Sequence, residues 1–210
     1  MWGLFRDITL SLGVALVAAA VYIVVRAAVI AVKKQTVVKR NEAVYLLLAV
    51  YAANFVYWLL FPALRFSIAD IINNGISYIF MQRNENEIRF NLIPLRTIYL
   101  YTFGTDSCLA ETWDSFKLRF WAGHIILSVS MGIIMQMLAG VKGFRLTAGK
   151  AAAVSAAIFA AVEIIQHSIG RTADIDAVII NTLGCLAGFG IYALISGHRK
   201  RGAALSSQTA

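Results

Sequence analysis

Five apolar runs, each near the length a helix needs to cross a bilayer, constrain this chain more than any other feature. They are Ile8 to Val32, Val44 to Leu64, Phe120 to Val141, Thr147 to Ile165, and Ala177 to Ser196. A helix of about 20 apolar residues spans the hydrocarbon layer and satisfies its own backbone hydrogen bonds there. Of the 210 residues, 60% are hydrophobic and 14% charged, with a mean hydropathy of +0.72. Soluble domains are nearer about 45–50% apolar, with roughly a quarter charged. Two cysteines, Cys108 and Cys185, are too few for a disulfide-dense scaffold or a zinc-finger framework. The expected fold is an all-α polytopic membrane protein. It has five transmembrane helices, an external amphipathic helix and a short extended segment.

The net charge is +8. The basic residues do not form a stripe with interleaved aromatics, so nucleic acid is not the expected partner. They collect instead at the ends of the apolar runs. Lys33, Lys34, Lys39, Arg40, Lys142, Arg145, Lys150, Arg199, Lys200 and Arg201 crowd three short segments on one side. Arg6, Arg65, Arg83, Arg89, Arg96, Lys117, Arg119 and Arg171 are spread over a much longer stretch on the other. Short basic loops resist translocation, which makes the dense side cytoplasmic. The expectation is a multi-pass plasma-membrane protein, N-terminus outside and C-terminus in the cytoplasm. The first run continues past Ala18-Ala19-Ala20 to Val32, which favours an uncleaved helix over a signal peptide. Arg26 lies inside it, and snorkelling to the nearby end is the cheaper default than pairing with an acid.

The chain divides into two N-terminal spans (1–64), an extracytoplasmic interfacial segment (65–119), a three-span unit that begins with the motifs at 91 (91–196), and a basic cytoplasmic tail (197–210). Within 65–119, Ile68, Ile71, Ile72, Ile76, Ile79 and Phe80 share one helical face, against Asp70, Asn73, Asn74 and Ser77. That pattern suits a helix in the outer interface or one covering the bundle. Glu85 to Phe103 alternates in part, through Ile88, Phe90 and Leu92 and then Thr97, Tyr99 and Tyr101. Period two predicts an extended or short β segment, interrupted at Pro94. Asp106 or Thr112 is placed to cap the helix that follows.

Polar residues gather in the C-terminal half. Glu163, Gln166 and His167 are three and four positions apart and share one face of the fourth span. A short turn, Arg171-Thr-Ala-Asp174-Ile-Asp176, leads into the fifth. There Asp174, Ala177, Asn181, Gly184 and Gly188 form one small, polar stripe. The glycines have an ordinary structural use, letting transmembrane helices pack closely. A carboxylate near the hydrocarbon is costly and faces a partner or a wet cavity. Pairing of Glu163 with Arg171 is the plain structural reading. His167 alone suits hydrogen bonding better than metal ligation, and Glu-x-x-Gln-His is not the His-Glu-x-x-His zinc signature. Glu163, Asp174 and Asp176 could hold Mg²⁺ against a phosphate, but no spacing rule enforces it. No metal or cofactor is assigned.

Three stretches together resemble the VanZ-like family of bacterial membrane proteins. They are Asn91-Leu-Ile-Pro94-Leu-Arg96-Thr-Ile98, Glu163-x-x-Gln166, and Arg171-x-x-Asp174-x-Asp176 followed by Asn181-Thr-Leu-Gly184 and Gly188. Two features depart from the family pattern. The intervening helix has His124, Ser128, Ser130, Gly132 and Gln136, keeping only the glycine of a proline-rich motif. Ala177 stands where an acid often follows the second aspartate. The resemblance implies a cell-envelope role and an association with tolerance to the glycopeptide antibiotic teicoplanin.

Three functions are open at this stage. In the first, Asn91, Arg96, Gln166, Asp176, Asn181, His124 and His167 bind an anionic membrane lipid, a lipid-linked envelope intermediate or a lipoglycopeptide. Arginines suit phosphate or carboxylate through paired N–H donors. If chemistry follows binding, Glu163 or Asp174 is the general base and Arg171 stabilises negative charge. His124 and His167 are alternates for the base. The second is a non-catalytic scaffold in which the same cluster locks the bundle. A transporter ranks third, because the acids cluster at one surface and no inverted repeat is evident.

Overall fold

The structure, a computed structural model, describes residues 2–34, 36–60, 90–103, 110–168 and 173–208. Helices dominate it: α1 (Trp2–Lys33), α2 (Lys39–Leu60), α3 (Arg96–Phe103), α4 (Ala110–Lys142), α5 (Ala148–Ser168) and α6 (Ile175–Gln208). Two short strands, β1 (Phe90–Asn91) and β2 (Ala173–Asp174), pair in parallel with Phe90 opposite Ala173 and Asn91 opposite Asp174. Among the described residues four helices are long and apolar enough to cross a membrane: Thr9–Lys33, Gly123–Lys142, Ala148–Ser168 and Ile175–Gly197. The chain is an all-α, multi-pass membrane protein. The second expected span, Val44 to Leu64, falls on α2, and its last four residues lie outside the described ones. So does the amphipathic stretch from Ile68 to Phe80.

The three C-terminal helices form the core, with α6 packed between α4 and α5. Close approach of α4 and α6 rests on glycine. A Cβ on Gly184 would meet the Ser128 side chain, one on Gly188 the Val129 carbonyl, and one on Gly132 the Cys185 carbonyl. The stripe read from Ala177 to Gly188 is therefore the face that α6 turns towards α4. Ala177 and Asn181 on it are buried. Beside this seam Met131, Phe159 and Cys185 make the apolar centre, with Tyr51 and Phe55 of α2 packed on it. The Phe55 ring meets Phe159 edge-on at 5.9 Å, and the Tyr51 hydroxyl donates to the Leu127 carbonyl at 3.0 Å. These contacts seat α2 against the core.

Helix α1 packs mainly on α2. At one end Ser11 Oγ donates to Asn54 Oδ1 at 2.5 Å. At the other, Arg26 does not simply snorkel: Nε and Nη2 donate to the two Glu42 oxygens at 2.8 and 2.6 Å. The Tyr22 hydroxyl adds a bond to the same carboxylate at 2.8 Å. Hydrogen bonds from Arg26 and Tyr22 hold the Glu42 carboxyl below the ordinary glutamate range. A charge inside an apolar span is costly alone, and the forked pair removes that cost.

One reading of local structure is corrected. Residues Arg96 to Phe103 are helical, not extended, so the alternation of Thr97, Tyr99 and Tyr101 is not a strand. The reason is tertiary: the Asp176 carboxylate of α6 accepts the N–H groups at the start of this helix. Of the two candidate caps, Thr112 falls within α4 and Asp106 is outside the described residues. The basic tail from 197 continues α6 as helix to Gln208.

Candidate functional site

The candidate residues meet where the ends of α5 and α6 come together beneath the 90–103 segment. Asp174 sits in β2 and caps α6: its Oδ1 accepts the Asp176 N–H at 3.0 Å. The same oxygen accepts Asn91 Nδ2 at 3.0 Å, and Asn91 Nδ2 also donates to Thr97 Oγ1 at 2.7 Å. Strand pairing puts Asn91 opposite Asp174, so one register serves both backbone and side chain. From α5, Glu163 Oε2 accepts the Asp174 N–H at 2.9 Å. Glu163 thus ties the helix before the turn to the strand after it.

Asp176 is fully buried and its carboxylate is turned on the backbone of the crossing segment. Oδ1 accepts the Leu95 N–H at 2.6 Å; Oδ2 accepts the Thr97 and Ile98 N–H groups at 2.7 and 3.2 Å. The first N–H groups of a helix have no partner within it and favour negative charge nearby. Asp176 supplies that partner to α3 from another helix. This is why the segment turns helical after Pro94 despite its alternating sequence. The turn itself places Leu95 at φ 68, in the left-handed region.

Lower in the seam, His124 Nδ1 lies 3.1 Å from Asn181 Oδ1, so the imidazole of α4 faces the amide of α6. With Asn181 as acceptor, Nδ1 carries the proton. Ser128 Oγ returns to the His124 carbonyl at 2.5 Å. On α5, Gln166 is buried with Glu163, and the His167 ring lies 4.1 Å from the Phe90 ring.

Glu163, Asp174, Asp176 and Asn91 therefore form one connected network. His167 flanks it through Phe90, and His124 and Asn181 form a separate pair deeper along α6. Arg96 begins α3 and is exposed, while Arg171 lies outside the described residues. Among the described residues no three His, Cys, Asp or Glu side chains converge as a metal-ligand set. Asn91 Oδ1 and Thr182 Oγ1 on α6 are buried and have no hydrogen-bond partner among the described residues.

A family model described as VanZ/LLP1 matches residues 43–196. The chain belongs to the VanZ/LLP1 family. The match takes in α2 as well as the motif-bearing stretch from Asn91, so the VanZ/LLP1 unit includes the helix whose Tyr51 and Phe55 pack on the core. No curated protein and no solved structure matches the chain.

Sequence reasoning named the carboxylates of this VanZ/LLP1 chain but not their partners. The Leu95, Thr97 and Ile98 N–H groups, and the Thr97 hydroxyl, complete the network. Thr97 lies within the Asn91 to Ile98 motif, which was the available signal. The Arg26–Glu42 clamp was missed as a pair: Arg26 was read as snorkelling, and no acid was named for it.

Proposed function

We propose that this chain is a five-span envelope protein of VanZ type that holds an anionic, lipid-anchored ligand at the outer leaflet. Its N-terminus lies outside and its C-terminus in the cytoplasm. Through that binding it contributes to tolerance of glycopeptide or lipoglycopeptide antibiotics such as teicoplanin. The observation that carries this reading is the Asp176 cap, which fixes the 90–103 segment as a strap across the bundle end. The strap's outer side then presents Arg96 among exposed Leu92, Ile93, Leu95 and Tyr99. A cation bordered by apolar side chains matches a ligand that has both a negative head and a lipid tail.

In this reading Glu163, Asp174 and Asp176 are positioning residues that hold the strap, and Asn91 locks its register. Arg96 and Arg171 meet the ligand's charge, with Gln166, His167, His124 and Asn181 shaping the polar floor. Glu163 Oε2 and Asp174 Oδ1 are each engaged by a backbone N–H, which supports a holding role for both carboxylates in a binding site.

The second reading, a scaffold that docks an envelope enzyme, is favoured by the same internal satisfaction of the carboxylates. Teicoplanin tolerance of cells carrying Arg96→Ala, at matched membrane abundance, separates them. Recognition by the strap predicts tolerance falling to that of cells without the protein. Full tolerance in Arg96→Ala, with tolerance and melting temperature lost together in Asp176→Ala, would favour the scaffold.

A further inference from the structure

Away from the strap, α1 and α2 enclose an open apolar groove with a volume of about 790 Å³. Gly13, Val17, Val21, Val25 and Val29 line one wall at four-residue intervals. Ala49 and Ala53 of α2 line the other, and their small side chains leave the space open. Its volume is in the range of small-molecule sites, about 300–1,000 Å³, and its lining is apolar with few polar groups, as such sites are.

The groove leads to a basic end. Lys33 follows Val29 by four positions on α1, and on α2 Lys39 lies three before Glu42, which is itself seven before Ala49. Residues at such spacings share a helix face. Lys33 and Lys39 therefore stand at the mouth, with Lys34 and Arg40 beside them, all four exposed. Lys34, at φ 49, turns the chain between the two helices. Glu42 is the only acid from 33 to 42, and the Arg26 fork already neutralises it. The cationic mouth is thus not offset locally.

We infer that this groove is a binding site for an anionic glycerophospholipid, one acyl chain lying along α1 and α2 and the phosphate held by the Lys33, Lys34, Lys39 and Arg40 cluster. Charge complementarity selects the head, and the apolar length selects the chain. The inference is independent of the strap and of which leaflet the basic loop faces.

The test uses the full chain, reconstituted in nanodiscs of phosphatidylglycerol and phosphatidylcholine in equal parts and then extracted gently. Lipid retained on the protein is measured by mass spectrometry. Phosphatidylglycerol is expected in roughly fivefold excess, the discrimination that one net cationic contact gives near a membrane surface. A Cβ at Gly13 meets nothing within 4 Å, so Gly13→Leu has room to project into the groove, narrows it at that point and should lower the retained lipid. The quadruple variant Lys33→Gln, Lys34→Gln, Lys39→Gln, Arg40→Gln changes only exposed side chains and should retain both lipids equally. Should Gly13→Leu fail to fold, that surface variant decides alone. Equal retention by the wild type, or an unchanged preference in the variants, overturns the site. So does a disulfide dimer formed efficiently by Val17→Cys in the same nanodiscs, which would give the groove to a second copy of the chain.

Discussion

Asp176 and Leu95 lie 81 positions apart in sequence, yet the carboxylate of one accepts the backbone N–H of the other at 2.6 Å. Thr97 and Ile98 share the same carboxylate, so one side chain supports a whole helix start. Asp176→Ala leaves three N–H groups without that acceptor. A loss of about 2–4 kcal/mol is expected, given the strength of hydrogen bonds to a charged group. Thermal unfolding in detergent measures it, and amide exchange at Leu95, Thr97 and Ile98 should accelerate in parallel. A melting temperature equal to wild type would show that the strap is held by something else.

The α4–α6 seam tolerates no added side chain at its closest point. Gly188→Ala puts a methyl group against the Val129 carbonyl, whereas Gly190→Ala meets nothing within 4 Å. Overpacking a well-filled contact costs about 1–3 kcal/mol. The first substitution should lower the melting temperature and the second should not. Equal behaviour of the two variants would refute close packing at Gly188.

His124 and Asn181 are expected to be energetically coupled. Asn181→Leu removes the amide oxygen that faces the imidazole Nδ1, at a cost of about 1–2 kcal/mol. In the double variant with His124→Leu no polar atom of the pair is left unmet, so its loss should be smaller than the sum of the two single losses. Strict additivity in this cycle would mean that the two groups do not interact.

The clamp between α1 and α2 should depend on pH in one direction. Arg26 and Tyr22 depress the Glu42 pKa, so its contribution is complete above the unfolded glutamate value, about 4.3. It declines as pH falls below that point and is lost once pH passes the folded value. The difference in melting temperature between wild type and Glu42→Gln should therefore be constant above pH 5 or so and shrink on acidification. A difference that grows on acidification would reverse the assignment.

Much of the helical framework was legible because hydrocarbon demands long apolar runs, and α1, α4, α5 and α6 follow them closely. The small stripe ending at Gly188 was readable for a similar reason, since close helix contact selects residues without bulk. Helix α3 was not readable. Its own residues alternate, and the charge that organises its first turn belongs to Asp176. Arg26 is a related case: its acid lies across a turn on α2, so no spacing within one helix announces it. Of the candidate site, Glu163, Asp174, Asp176 and Asn91 were identifiable as residues. Their use was not, because a carboxylate that accepts backbone N–H groups has the same one-letter code as one that takes a proton.

The strap's dependence on Asp176 also sets a timetable for making the protein. Residues 90–103 leave the ribosome long before their acceptor exists, and an eight-residue helix has little stability in isolation. Its closing turn waits until α6 has been threaded into the bilayer and its carboxylate delivered. The latch between residues 90–103 and the rest of the bundle is thus the last part of this fold that the order of synthesis allows to close.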